Sequence, residues 1–137
     1  MAAATKPVQR VYEIGDLNAF PMTATSKIYQ GTAVGQAAAG TAARALVATD
    51  KFHGFAIDTY DNSAGAAGDV DVVVKTFGYV ELTVVGLAAT TPVGTSVYAS
   101  DDSTFTLTST SNSLIGKVHR VLPGAVKAIV CFDADVI

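Results

Sequence analysis

From Val70 to Val84 the chain alternates apolar and polar positions with a period of two. Val70, Val72 and Val74 alternate with Asp71 and Lys75. After Gly78, Val80, Leu82 and Val84 alternate with Tyr79, Glu81 and Thr83. This period predicts two strands, each with one face in a core and one in water. Further on, short apolar or β-branched runs are separated by turn residues. Ser96–Ala99 is followed by the acidic turn Ser100–Ser103 and then by Thr104–Thr108. A polar loop, Ser109–Ser113, leads to Leu114–Val118, and Pro123-Gly124 reverses the chain into Val126–Phe132. Each break carries Gly, Pro, Asp or Asn, which is how hairpins are encoded.

The first half carries the same signals less regularly. Ser26–Gly35 reads as a strand, and Phe52–Ile57 as another, followed by an Asp/Asn/Ser/Gly loop over Asp58–Asp69. Gln36–Ala48 is rich in Ala and is the best helix candidate by propensity. It lacks a 3.6-residue apolar stripe and is broken by Gly40 and Thr41. We therefore expect a hairpin there, with the Ala-Gly-Thr segment as its turn and Arg44–Ala48 as the return strand. Short strands at intervals of roughly 8–12 residues predict an all-β fold, a compact antiparallel β-sandwich or small β-barrel.

Residues 1–22 differ from the remainder. Val8, Arg10 and Tyr12 fall on one side of a possible strand, and Asp16, Asn18 and Pro21 interrupt any ladder. The expectation is an extended N-terminal arm over residues 1–22 and a β-domain over 23–137. Twenty extended residues reach roughly 65 Å, past the edge of their own domain. Val8, Arg10, Tyr12, Phe20 and Met22 are the expected contact residues for a partner or a sister copy. The alternative is a frayed terminus with an edge strand.

Composition narrows the function classes. Half of the 137 residues are hydrophobic and 15% are charged, enough for a real core and for a single domain. Ala and Val dominate and there is no Trp, so a thin core of small side chains is expected. The formal charge is −3 without a basic stripe, so no nucleic-acid partner is expected. No signal peptide and no apolar run near the ~20 residues of a membrane span stand out, so the expected protein is soluble and made in a cytoplasm. A single cysteine, Cys131, fits a reducing compartment, and the run Ile129–Phe132 predicts it buried and inert.

Candidate chemistry is sparse. His53 and His119 have no His or Cys at ligand spacing. Asp58, Asp61, Asp69 and Asp71 with Asn62 are the best oxygen cluster for calcium, but they miss the spacing of the twelve-residue loop. Asp101-Asp102 reads as turn chemistry. There is no nucleophile elbow, phosphate loop or dinucleotide fingerprint. Catalysis would need a pocket joining two side chains, for instance His119 and Asp133. Five tyrosines spread along the chain suit a contact surface or a sugar-stacking platform. No cofactor is expected.

Two stretches carry a resemblance. Gly54–Leu82 (GFAIDTYDNSAGAAGDVDVVVKTFGYVEL) and Val93–Val118 (VGTSVYASDDSTFTLT, then Asn112 and LIGKV) resemble the small capsid cement, or head decoration, proteins of tailed bacteriophages. The likeness covers roughly residues 26–132 and rests on turns and strands. It implies a β-rich virion protein, made in the bacterial host cytoplasm, that sits on the outer surface of the head. There it would join neighbouring major capsid protein subunits, often as a dimer or trimer, without cofactor or catalytic residues. A carbohydrate-binding β-module of a phage or bacterial surface protein is the alternative.

Overall fold

The computed structural model describes residues 6–7, 15–37 and 40–136. Within them the chain forms strands and turns and no helix. In order they are β1 (Leu17–Pro21), β2 (Ser26–Ile28), β3 (Ala33–Gln36), β4 (Arg44–Ala45), β5 (Lys51–Ala56), β6 (Tyr60–Asn62), β7 (Asp71–Lys75), β8 (Phe77–Val85), β9 (Ser96–Ala99), β10 (Phe105–Thr106), β11 (Ser113–Val121) and β12 (Lys127–Asp133). The N-terminal half makes a five-stranded sheet, β1-β7-β5-β3-β4, and the pair β2-β6. The C-terminal half makes a closed barrel, β10-β8-β12-β11-β9.

The barrel closes through a two-residue strand. β10 pairs antiparallel with β9 (Phe105↔Ala99) and parallel with β8 (Phe105↔Val84). Its longest ladder joins β8 to β12, from Phe77↔Asp133 to Thr83↔Lys127. β11 shifts register twice, leaving Ile115 and His119 as extra residues. Bulges increase local twist, which a barrel this narrow requires. The predicted alternation holds: Leu82 and Val84 face inward while Tyr79, Glu81 and Thr83 face water. Val72 and Val74 of β7 are likewise buried between exposed Asp71 and Lys75.

The sheet is a middle layer with a core on each side. On one side Val34, Ala56, Val72 and Val74 pack with Met22, Ile28 and Ala43 beneath the β2-β6 pair. On the other, Phe52 and Phe55 reach Phe105 and Phe132 of the barrel. Phe55 is the hub, with ring centroids 5.2 Å from Phe52, 5.0 Å from Phe132 and 6.0 Å from Phe105. Strand alternation alone would point Phe52 and Phe55 to opposite faces. A bulge at His53 resolves this, because Gly54 pairs with Val34 and Phe52 with Gly35. Gly54 takes φ 129°, and a Cβ there would run into the Lys75 carbonyl, so only glycine fits the bulge. The core is therefore not built of small side chains alone, since four phenylalanines join its two halves.

The boundary expected at residue 22 moves toward the N-terminus. Leu17–Pro21 pairs with β7 in full register, Leu17↔Lys75 to Pro21↔Asp71. Met22 has 0% exposure and bridges to Ala43. The Ala43 N–H donates to Pro21 O (2.7 Å) and the Thr23 N–H to Ala43 O (2.9 Å). These bonds tie the two edge strands, β1 and β4, together, so the sheet curls toward closure. Residues 17–22 were expected in the arm because Pro21 breaks ladders. Here its missing N–H faces outward, where no ladder bond is lost.

Candidate contact surfaces

Residues of the expected N-terminal contact set divide. Val8, Arg10 and Tyr12 lie outside the described residues. Phe20 and Met22 are anchors rather than contacts: Met22 fills the core, and Phe20 is partly buried with its ring stacked on His53 (centroids 4.3 Å apart, planes 15° apart). The outer edge of β1 is also blunted. Asp16 O accepts from Thr76 N–H and Met22 N–H donates to Val70 O, so even-numbered residues bond to β7 and odd-numbered ones face out. Of these, Pro21 has no N–H, and the Ala19 N–H is held by the side-chain oxygen of Asn18 (2.9 Å). Such an edge resists addition of a further strand.

Beneath β1 lies a small polar cluster. Gln36 donates to Gly40 O, which turns its side-chain oxygen toward His53 (2.7 Å), so His53 Nε2 carries the proton. Burial, and then the charge of Lys51, hold the His53 pKa below its usual value against the opposing carboxylates of Asp135 and Asp50. Arg44 grips Asp50 through two bonds (2.7 and 3.0 Å), and the Val47 N–H adds a third (3.1 Å). Burial pushes the Asp50 carboxyl up, but these bonds and charges outweigh it and hold the group low. These bonds fasten β3, β4 and β5 together.

The outer wall of the barrel is different. Along β8 the outward positions are Phe77, Tyr79, Glu81, Thr83 and Val85, with Phe77 44% and Tyr79 64% exposed. Cys131 stands opposite Tyr79 and Lys117 opposite Cys131. The extra residue His119 sets its ring 4.7 Å from that of Tyr79. Cys131 is exposed, not buried as expected: β12 alternates, and its neighbours Val130 and Phe132 take the inward places. Phe77 escaped the sequence reading, although extending the period of two from Tyr79 backwards would have found it.

The remaining candidates disperse. Asn62 is buried and donates to Thr23 O and Ala66 O, shaping the loop. Asp61 accepts from Ser63 and Asp69 from the Ala66 N–H, each within its own turn. Among the described residues no three His, Cys, Asp or Glu side chains gather as a metal site. Asp101 accepts from the Ser103 and Thr104 N–H groups, which lowers its pKa, as a turn-forming Asp should. Asp133 faces Phe77, two residues along from the strand position opposite Tyr79, and accepts from the Asp135 N–H. His119 and Asp133 thus sit on the barrel's outer wall rather than in a shared cleft.

The fold and these surfaces define an all-β domain with outward apolar groups. No protein-family model matches the chain, and no curated protein or solved structure matches it.

Proposed function

We propose that the chain is a structural virion protein, a capsid cement or decoration protein on the outer surface of a tailed-phage head. Its partners are the major capsid protein and further copies of itself, and it is made in the cytoplasm of the bacterial host. The observation that supports this is the barrel wall: Phe77 and Tyr79 project from the longest ladder of the barrel, so large apolar groups are held on a rigid frame. A rigid frame loses little entropy on docking. Burying the open part of Tyr79 removes about 100 Å² of mostly apolar surface, worth about 2–3 kcal/mol before ordering costs. Gains of this size, repeated over a shell, stabilise whichever capsid form the protein binds. Residues 8–14, which lead directly into β1, supply a second contact segment.

Purified chain mixed with expanded heads should sediment with them and raise their disruption temperature, and Tyr79→Asp should weaken occupancy at least about tenfold. Chain that stays in the supernatant and leaves the disruption temperature unchanged would refute the reading. The Tyr79–His119 pair also favours a second reading, a carbohydrate-binding module, since exposed aromatic rings stack on sugars. A glycan array separates the two: glycan binding lost in Tyr79→Ala, with no head binding, would establish the second.

A further inference from the structure

The cations of the barrel all lie on one wall. Residues 77–133 contain Lys117, Arg120 and Lys127 and no other Lys or Arg. Lys117 stands opposite Cys131, itself opposite Tyr79, and Arg120 stands opposite Ile129, itself opposite Glu81. Lys127 is taken up by Glu81, 3.5 Å away. The other carboxylates of the barrel stand apart from these two strand positions. Asp101 and Asp102 lie between β9 and β10, and Asp133 faces Phe77, where it accepts from the Asp135 N–H. Among the described residues, Lys117 and Arg120 take part in no ion pair.

A bulge puts the two on the same face. Three residues apart on a regular strand, Lys117 and Arg120 would point to opposite sides. The extra residue at His119 cancels that offset: Val118 is buried, while His119 and Arg120 are both exposed. Without it Arg120 would turn into the barrel. Bulges re-aim side chains in this way and are frequent beside functional sites. The same bulge sets the His119 ring 4.7 Å from that of Tyr79. One backbone irregularity therefore brings two cations onto the wall that carries the exposed aromatic ring.

We propose that this wall takes an acidic segment of a partner protein, with carboxylates on Lys117 and Arg120 and an apolar side chain on Tyr79. The inference rests on the reading of this wall as the docking surface, and it names the chemistry that the surface selects. Charge complementarity identifies the occupant. The chain carries −3 overall, so its net charge disfavours an acidic partner and these cations orient the approach that succeeds. The Arg120 guanidinium can hold a carboxylate through two parallel bonds, and Lys117 adds a point charge. Their partners on β12, Cys131 and Ile129, are two residues apart, which separates the cations by about 7 Å along the strand. Acidic residues at alternate positions of an extended segment have that spacing. A nucleic acid would need a longer basic track than two cations with Glu81 beside them.

The test is binding of the full chain to expanded heads, read by sedimentation, and to a short labelled peptide alternating Glu and Leu, read by fluorescence anisotropy. Both affinities should fall at least about tenfold between about 0.05 M and about 0.5 M salt. Lys117→Glu and Arg120→Glu should each weaken both at least about tenfold with an unchanged circular dichroism spectrum. Lys51→Glu makes the same change of charge on the N-terminal sheet and should weaken them less than about threefold. A peptide alternating Lys and Leu should not bind. Heads that bind through Tyr79 and ignore both salt and the two reversals overturn the acidic partner and leave the docking wall standing. Peptide bound through both cations, with heads ignored, refutes only the cement reading. Duplex DNA bound more tightly than the Glu peptide through Lys117 and Arg120 overturns the proposal and assigns the wall to nucleic acid. Failure to bind the peptide, together with no effect of the reversals on heads, also overturns it.

Discussion

Phe55→Ala should cost about 4 kcal/mol and should unfold the sheet and barrel together. Phe55 is buried at the junction of the two halves, against Phe52, Phe105 and Phe132. Truncating a buried Phe to Ala costs about 3–5 kcal/mol in lost transfer energy and cavity. Each ring pair adds about 0.5–1.5 kcal/mol beyond area, and two of the Phe55 pairs are near edge-on, which places the loss in the upper part of that range. For a chain of this length the melting temperature should fall by roughly 12–16 °C. Urea titration followed by far-ultraviolet circular dichroism and tyrosine fluorescence reads both halves, since Tyr60 lies in the N-terminal layers and Tyr79 and Tyr98 in the barrel. One shared transition, shifted to lower urea at an unchanged slope, is expected. A loss below about 1 kcal/mol, or separate sheet and barrel transitions, would refute the idea that the aromatic junction makes one cooperative unit.

The Ser113 hydroxyl is buried in the barrel without a hydrogen-bond partner among the described residues, so Ser113→Ala should be neutral or stabilising by up to about 1–2 kcal/mol in the same titration. Because folding lowers the His53 pKa, the unfolded chain takes up a proton more readily, and stability should fall as pH drops below about 6.5. Comparing melts at pH 7 and pH 5 should show His53→Gln losing part of that dependence. Asp50→Asn removes the charge that Arg44 grips and should cost about 2 kcal/mol near neutral pH, a difference that shrinks as acid protonates Asp50 in the wild type. Deleting residues 2–22 removes β1 and Met22 and should unfold the sheet. Deleting residues 2–14 keeps both and should weaken head binding alone, as circular dichroism and co-sedimentation would show.

Much of the architecture was legible because a period of two is a local signal. Val72, Val74, Leu82 and Val84 announced their inward faces, and the hairpin through Arg44 could be chosen over a helix because the Ala-rich stretch lacked a stripe. What could not be read was non-local. The bulge at His53 depends on Gly54 passing close to the Lys75 carbonyl, a partner twenty-one residues away, and only that bulge brings Phe52 and Phe55 into one core. β1 was hidden because Pro21 breaks a ladder only where its nitrogen faces a partner, and sequence does not say which way it faces. Cys131 was misplaced because an apolar run conceals its alternation, although Val130 and Phe132 take the inward places on either side of it. The contact surfaces were least legible: an outward Tyr79 becomes part of a surface only once the barrel sets Phe77, Tyr79 and His119 on its outer wall.

Electron microscopy of phage particles assembled with this chain tests the central claim most directly. The account predicts density for the sheet and barrel on the outside of the shell, bridging neighbouring capsid subunits through the Phe77–Tyr79 wall. Particles whose outer surface lacks that density, with the chain found free or in another structure, would contradict it.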